Sequence, residues 1–212
     1  MITLRPVEPG DLEALYHIAL ATGLAGGDAS HIHKDPKLIG HIYAGPYAVL
    51  APDLALVAID DEGVAGYIVG ADDTPAWDDR LERDWWPGLR GRLQQPDYEN
   101  RAHWSADERR IWMIFHPWRT PGEVHQNHRA HLHMNILPRL QRRGVGAKLL
   151  DAWLEAAAAR GVEGVHIGVN RANAGGLAFW LARGFTEIDT ARDLPGRTLW
   201  LARRCGPRVA FP

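Results

Sequence analysis

Gln141-Arg142-Arg143-Gly144-Val145-Gly146 is the stretch of this chain best equipped for chemistry. It follows the apolar run ending Asn135-Ile136-Leu137-Pro138 and precedes apolar residues at helical spacing, which reads as a strand turning into a helix. The first N–H groups of a helix have no partner within it, and the helix dipole adds partial positive charge there. Two glycines let the backbone approach a ligand closely, and two arginines add full charges. The expected ligand is the phosphate end of a cofactor. A second group of candidates is acidic: Asp72, Asp73, Asp78 and Asp79 could attract a cation. A third is His125, His128, His131 and His133, all within nine residues. The first pair has turn or helix spacing and the second alternates along a strand. No acidic ligand lies among them, although Glu123 is near, so they read as ordinary strand and loop histidines and no metal is expected. Cys205 is the single cysteine, which excludes an internal disulfide and a thiolate zinc site.

These residues need a scaffold, and the hydrophobic pattern supplies one. Ile2 and Leu4 alternate as in a strand, and Asp11 is placed to cap a helix carrying Leu12, Leu15, Ile18 and Ala19. Gly23 to Pro46 reads as loop with one short helix near Leu38 to Ile42. Leu54–Ile59 and Val64–Val69, separated by Asp60-Asp61-Glu62-Gly63, predict a β-hairpin. Gly66 and Gly70 in its second strand mark a bulge or a close backbone approach. Residues 72–110 are polar and rich in Trp and Pro, too long for bare loop, and predict short helices forming a lid or side wall. Ile111 to Phe115 reads as a further strand.

His131 to Leu137 reads as a strand. Val145, Leu149, Leu150, Trp153, Leu154 and Ala157 then share one helical face, closed by Gly161. Val162 to Val169 is a buried strand, and Asn173 caps a helix through Leu177, Trp180 and Leu181 that ends at Gly184. Phe185–Ile188 and Thr198–Leu201 close the pattern. The order predicts one α/β domain with a mixed sheet and a Trp-rich insertion at 72–110.

Composition bounds the function. The chain has 212 residues, 46% of them hydrophobic, and a net charge of −2. It can fill a core, and it offers no basic surface for nucleic acid. No apolar run approaches the roughly 20 residues that span a bilayer, and no signal pattern opens the chain, so a cytoplasmic protein without membrane or nucleic-acid partners is expected. A homodimer is the default for any self-association.

Pro138-x-x-Gln141-x-x-Gly144-x-Gly146 resembles the acetyl-CoA signature of the GNAT N-acetyltransferase superfamily, and Asn173 to Gly184-Phe185 resembles its second signature. Ala44-Gly45-Pro46-Tyr47, the Asp60–Tyr67 hairpin, Asp73-Thr74-Pro75 and Trp85-Trp86-Pro87 are similar to the acetyltransferase-like C-terminal domain of O-GlcNAc hydrolases and its stand-alone bacterial relatives. With 212 residues the domain is expected to stand alone. The resemblance implies a GNAT fold, mixed and mostly antiparallel, with two central strands splayed around the pantetheine arm of acetyl-CoA as cosubstrate. It places the pyrophosphate on Arg142, Arg143, Gly144, Val145, Gly146, Ala147 and Lys148, beside Gln141. The acetyl thioester falls near Ile136, Leu137, Asn173 and Trp180, where a free strand N–H stabilises the oxyanion.

The acceptor implied is an amine, on a small molecule or on a protein or peptide, and it must lose a proton to attack. Candidate bases are Asp73, Asp72, His131, His133 and His116, with Asp73 and His133 favoured. The family often has a Tyr acid where this chain has Trp180, whose indole N–H donates a hydrogen bond but does not give up a proton. Two readings therefore stay open: an acetyl-CoA-dependent N-acetyltransferase, and a weak or inactive relative that holds acetyl-CoA as a binding or protein-interaction module.

Overall fold

The alternating N-terminal residues form the strand they predict. In the computed structural model, which describes residues 1–191, 194 and 196–205, β1 (Thr3–Pro6) leads into α1 (Leu12–Ala21), and Leu15, Ile18 and Ala19 are buried. Asp11 sits at the N-cap position but does not bond the helix's own N–H groups. Its carboxylate accepts from the Glu8 N–H at 2.8 Å and from Arg5 at 2.6 and 2.8 Å, fastening β1 to the helix start. The loop that follows holds α2 (Leu38–Tyr43) and also α3 (Gly45–Leu50), which the loop reading omits. The hairpin is present as β2 (Ala55–Asp60) and β3 (Gly63–Ala71).

The insertion is helical, as its length demands: α4 (Thr74–Asp84), α5 (Trp86–Arg90) and α6 (Ala106–Phe115). The strand expected at 111–115 is corrected here, because those residues are the last turns of α6. Ser105 and Glu108 form a capping box: the Ser105 hydroxyl accepts from the Glu108 N–H at 3.2 Å, and the Glu108 carboxylate accepts from the Ser105 N–H at 2.7 Å. That signal outweighs the β propensity of a short apolar run. Trp85 Nε1 donates to the His41 carbonyl at 2.9 Å, and Asp107 accepts from the Lys34 and Asp35 N–H groups at 3.0 Å each. These bonds dock the insertion onto the α2 region as a wall.

The rest runs α7 (Gly122–His125), β4 (Ala130–Ile136), α8 (Val145–Ala159), β5 (Gly164–Asn170), α9 (Ala174–Ala182), β6 (Thr186–Glu187) and β7 (Thr198–Arg204). Among the described residues seven strands form one sheet in the order β1-β2-β3-β4-β5-β7-β6, antiparallel except for β4 with β5. It is the mixed, mostly antiparallel sheet expected. Cross-strand partners share a face, so Tyr67, Val69, His131, His133 and Asn135 lie on one side, and Ile68, Gly70, Leu132 and Met134 on the other. α8 covers that second side, with Trp153 fully buried and donating to the Leu54 carbonyl at 3.0 Å. A side chain at Gly70 would collide with the Trp153 ring and the His131 carbonyl, which is the close approach its position in the strand predicts.

Candidate active site

β4 and β5 pair only at Ala130 with Val165 and at His131 with His166. Beyond those positions each strand continues, β4 to Ile136 and β5 to Asn170, with a gap between them. On its other edge β4 is fully paired with β3, and Leu137 N–H donates to the Ala65 carbonyl at 2.8 Å. Antiparallel alternation then turns the N–H groups of Met134 and Ile136 into the gap. The Ile136 carbonyl accepts from Gln141 Nε2 at 2.8 Å, which anchors the following turn. Arg139, bound to Asp60 at 2.8 Å, anchors it a second time.

The turn delivers the N-terminus of α8 to the mouth of this gap. Arg142 and Gly144 both adopt left-handed backbone, at φ 58° and 77°, and no side chain caps the helix. Its first N–H groups are therefore free for an anion. Arg142, Arg143 and Lys148 are exposed, and none of them forms an ion pair among the described residues. A side chain at Gly146 would press on Phe179 and Ile136 at 3.1 and 3.3 Å, so glycine keeps α8, α9 and β4 in close contact. Asn173 caps α9 by accepting from the Gly176 N–H at 2.8 Å, and it also lines the adjoining cavity. The Gln141 to Lys148 turn thus follows Ile136 at the end of β4 and Asn173 lines the adjoining cavity, while Leu137 is buried.

A cavity of about 550 Å³ opens beside the cleft, between the sheet and the insertion wall. His131 is fully engaged there. Thr74 gives its single hydroxyl proton to the Arg129 carbonyl at 2.6 Å, so it accepts from His131 Nδ1–H at 2.7 Å. His131 Nε2 then accepts from the Tyr47 hydroxyl at 2.8 Å, which fixes a neutral imidazole. His133 lines the same cavity, and its ring nitrogens have no hydrogen-bond partner among the described residues. Burial, with His166 nearby, pulls its pKa down to about 4, so its ring is an open acceptor at neutral pH.

The other expected residues are placed elsewhere. Asp73 caps α4 through the Ala76 N–H at 3.0 Å, pairs with Arg129, and lies outside the large cavity. Burial raises its carboxyl, but the Ala76 N–H and Arg129 outweigh this and leave it below the usual value, a poor base. Asp72 faces Arg160 at 3.4 Å, and His116 stacks on Trp112 in the insertion. Trp180 packs edge-on between Phe179 and Phe185, each at 5.0 Å, and does not reach the cavity. Two carboxylates of α4 do reach it, Asp78 and Glu82; Arg90 holds Glu82 at 2.8 and 3.1 Å, which leaves Asp78, one residue beyond the buried Trp77. Burial pushes its pKa up to about 6. An acid on the inner, Trp77–Leu81 side of an amphipathic helix was the sequence signal for both.

His166 donates from Nδ1 to the His128 carbonyl at 2.7 Å, and burial lowers its pKa from 6.5 to about 4. A histidine kept neutral in the folded state binds fewer protons there than when unfolded, so stability is lost as pH falls from about 6.5 toward 4. For His166 alone the loss is on the order of 3 kcal/mol, and His131 and His133 act in the same direction. Asp78, raised rather than lowered, opposes them as a single group. Urea midpoints at pH 7.5, 5.5 and 4.5 are expected to fall steeply across this window; a flat profile would mean that the three rings are hydrated.

A model of the family described as "Acetyltransferase (GNAT) family" matches residues 27–185. The crystal structure of SsHAT is 35% identical, with a TM-score of 0.88, over 97% of this chain and 99% of that one. Protein O-GlcNAcase of Rattus norvegicus is 23% identical over 203 residues, 95% of this chain, and the Mus musculus protein aligns equally. The chain spans only 22% of the length of those relatives. The PaiA N-acetyltransferase from Thermoplasma acidophilum, in complex with coenzyme A, shares the fold at 15% identity and a TM-score of 0.56, over 96% of this chain and 99% of that one.

Proposed function

Because this chain belongs to the GNAT family of acetyltransferases, we propose that it transfers an acetyl group from acetyl-CoA directly to an amine. The observation that carries the reading is the gap between β4 and β5 together with the uncapped N-terminus of α8 at its mouth. The pyrophosphate is held by the N–H groups of the α8 turn, with Arg142 and Arg143 beside it. The pantetheine arm lies along the free edge of β4. A free N–H of Met134 or Ile136 polarises the thioester carbonyl and stabilises the oxyanion.

The amine nitrogen attacks the carbonyl carbon, the C–S bond breaks, and CoA leaves as the thiolate. Asp78 takes the proton of the incoming ammonium. A carboxylate with a pKa of about 6 is ionised at neutral pH yet basic enough to share a proton. His133 accepts a hydrogen bond from the same nitrogen and aims its lone pair. Trp180 has no part in the step; the second proton of the tetrahedral nitrogen passes through water to the departing thiolate, which is released as the thiol.

The test is calorimetric titration with acetyl-CoA and with CoA, followed by thiol release across small amines and lysine peptides. Micromolar binding with acetylated product supports the reading. Binding without any acetylated product would leave a module that only holds acetyl-CoA, and no binding by the folded protein would remove both.

A further inference from the structure

Two ionic groups on the cavity wall lack a counter-ion among the described residues. Asp78 forms no ion pair; the Thr120 N–H and Arg119 act on it, but Arg119 is itself bound to Asp79 at 2.6 Å. Arg110 is half-buried and also forms no ion pair. It donates to the Tyr43 hydroxyl at 3.3 Å and lies 5.6 Å from that ring's centroid. Glu82, also on the wall, is neutralised by Arg90 at 2.8 and 3.1 Å. A charge withdrawn from water without a partner is costly. A wall that neutralises its other ions and leaves one of each sign free is matched by a ligand carrying both signs.

Both free groups lead to His133 through separate rings. Tyr43, under Arg110, meets the His133 ring edge-on at 5.4 Å. Tyr47 meets it edge-on at 5.4 Å and stacks on Trp77, the neighbour of Asp78 in α4, at 4.5 Å. Much of the remaining wall is flat and apolar. Trp86 is buried in it, and Trp118 stacks on Trp200 at 5.8 Å while remaining 65% exposed.

We infer that the acceptor is an α-amino acid with an aromatic side chain, its ammonium on Asp78 and His133, its carboxylate on Arg110, and its ring against the tryptophans. This rests on the acetyl-transfer reading and names the acceptor class for that site. The carboxylate–guanidinium contact is a charge-assisted pair at a partly desolvated site, and the aromatic walls favour a planar ring over an aliphatic chain.

The experiment measures thiol release from acetyl-CoA with phenylalanine, tyrosine and tryptophan, with phenethylamine, tyramine and tryptamine, and with alanine, putrescine and a lysine peptide. Each aromatic amino acid is expected to exceed its decarboxylated counterpart in kcat/KM by about 10- to 100-fold, and to exceed alanine. In R110Q, checked for folding by its thermal transition, the acid-to-amine ratio is expected to collapse toward one. Ratios near one in the wild type, or a ratio unchanged in R110Q, overturn the inference. Turnover with putrescine or the lysine peptide alone also overturns it and leaves N-acetyl transfer standing. No turnover with any acceptor overturns both.

Discussion

Gly144→Glu is expected to weaken acetyl-CoA binding at least about 100-fold. Gly144 precedes α8 in left-handed backbone at φ 77°, a conformation that costs an L side chain roughly 1 kcal/mol. A Cβ there meets nothing within 4 Å, so the variant folds with little loss of packing. Its carboxylate instead stands among the free N–H groups and competes for them. A negative charge about 5 Å from a phosphate repels it by roughly 3 kcal/mol per charge pair near a protein surface, and about 1.4 kcal/mol is tenfold in affinity. Gly144→Ala carries the strain without the charge and is expected to bind within a few-fold of the wild type. Calorimetry on both separates the two effects. Equal affinity of the Glu and Ala variants would place the pyrophosphate somewhere other than the α8 turn.

The second large effect is expected at Asp78. Asp78→Asn keeps size and hydrogen bonding but removes the basic site, and kcat/KM is expected to fall by about 10²- to 10⁴-fold, the usual worth of a positioned base. Acetyl-CoA affinity should not change, because Asp78 lines the large cavity and not the α8 turn. The pH dependence gives an independent reading. The base must be ionised, so kcat/KM is lost as pH falls through about 6, and that limb disappears in the Asn variant. Asp73→Asn supplies the contrast: the loss of a helix cap costs about 1 kcal/mol of stability, while turnover stays within a few-fold. A large rate loss at Asp73 with none at Asp78 would restore the carboxylate favoured by its position at the strand end.

The backbone of the proposed cofactor half was legible in the sequence because its signals are local. Gln141 to Gly146 encodes a turn and an uncapped helix start within six residues, and Asn173 encodes its cap with Gly176. The β4–β5 parting was foreseeable only through the family resemblance, since nothing in either strand's own pattern says where pairing stops. The acceptor half was less legible because it is assembled at long range. Asp73 was a favoured base, and only the fold shows Arg129 closing on it from 56 residues away. Arg110 and Tyr43 meet across 67 residues. Reading 111–115 as a strand also hid Arg110, because a residue in the second turn of a capped helix points quite differently from one just before a strand.

Two register positions join β4 to β5, whereas β3 meets β4 over six and β5 meets β7 over seven. Empty of ligand, the sheet is two blankets held by a short seam, β1 to β4 on one side and β5 to β7 on the other. The seam is also where unpaired strand edges face each other inside the molecule instead of at its rim. A pantetheine arm laid between them takes the place of a missing strand, so loading the protein is mechanically equivalent to stitching the sheet closed.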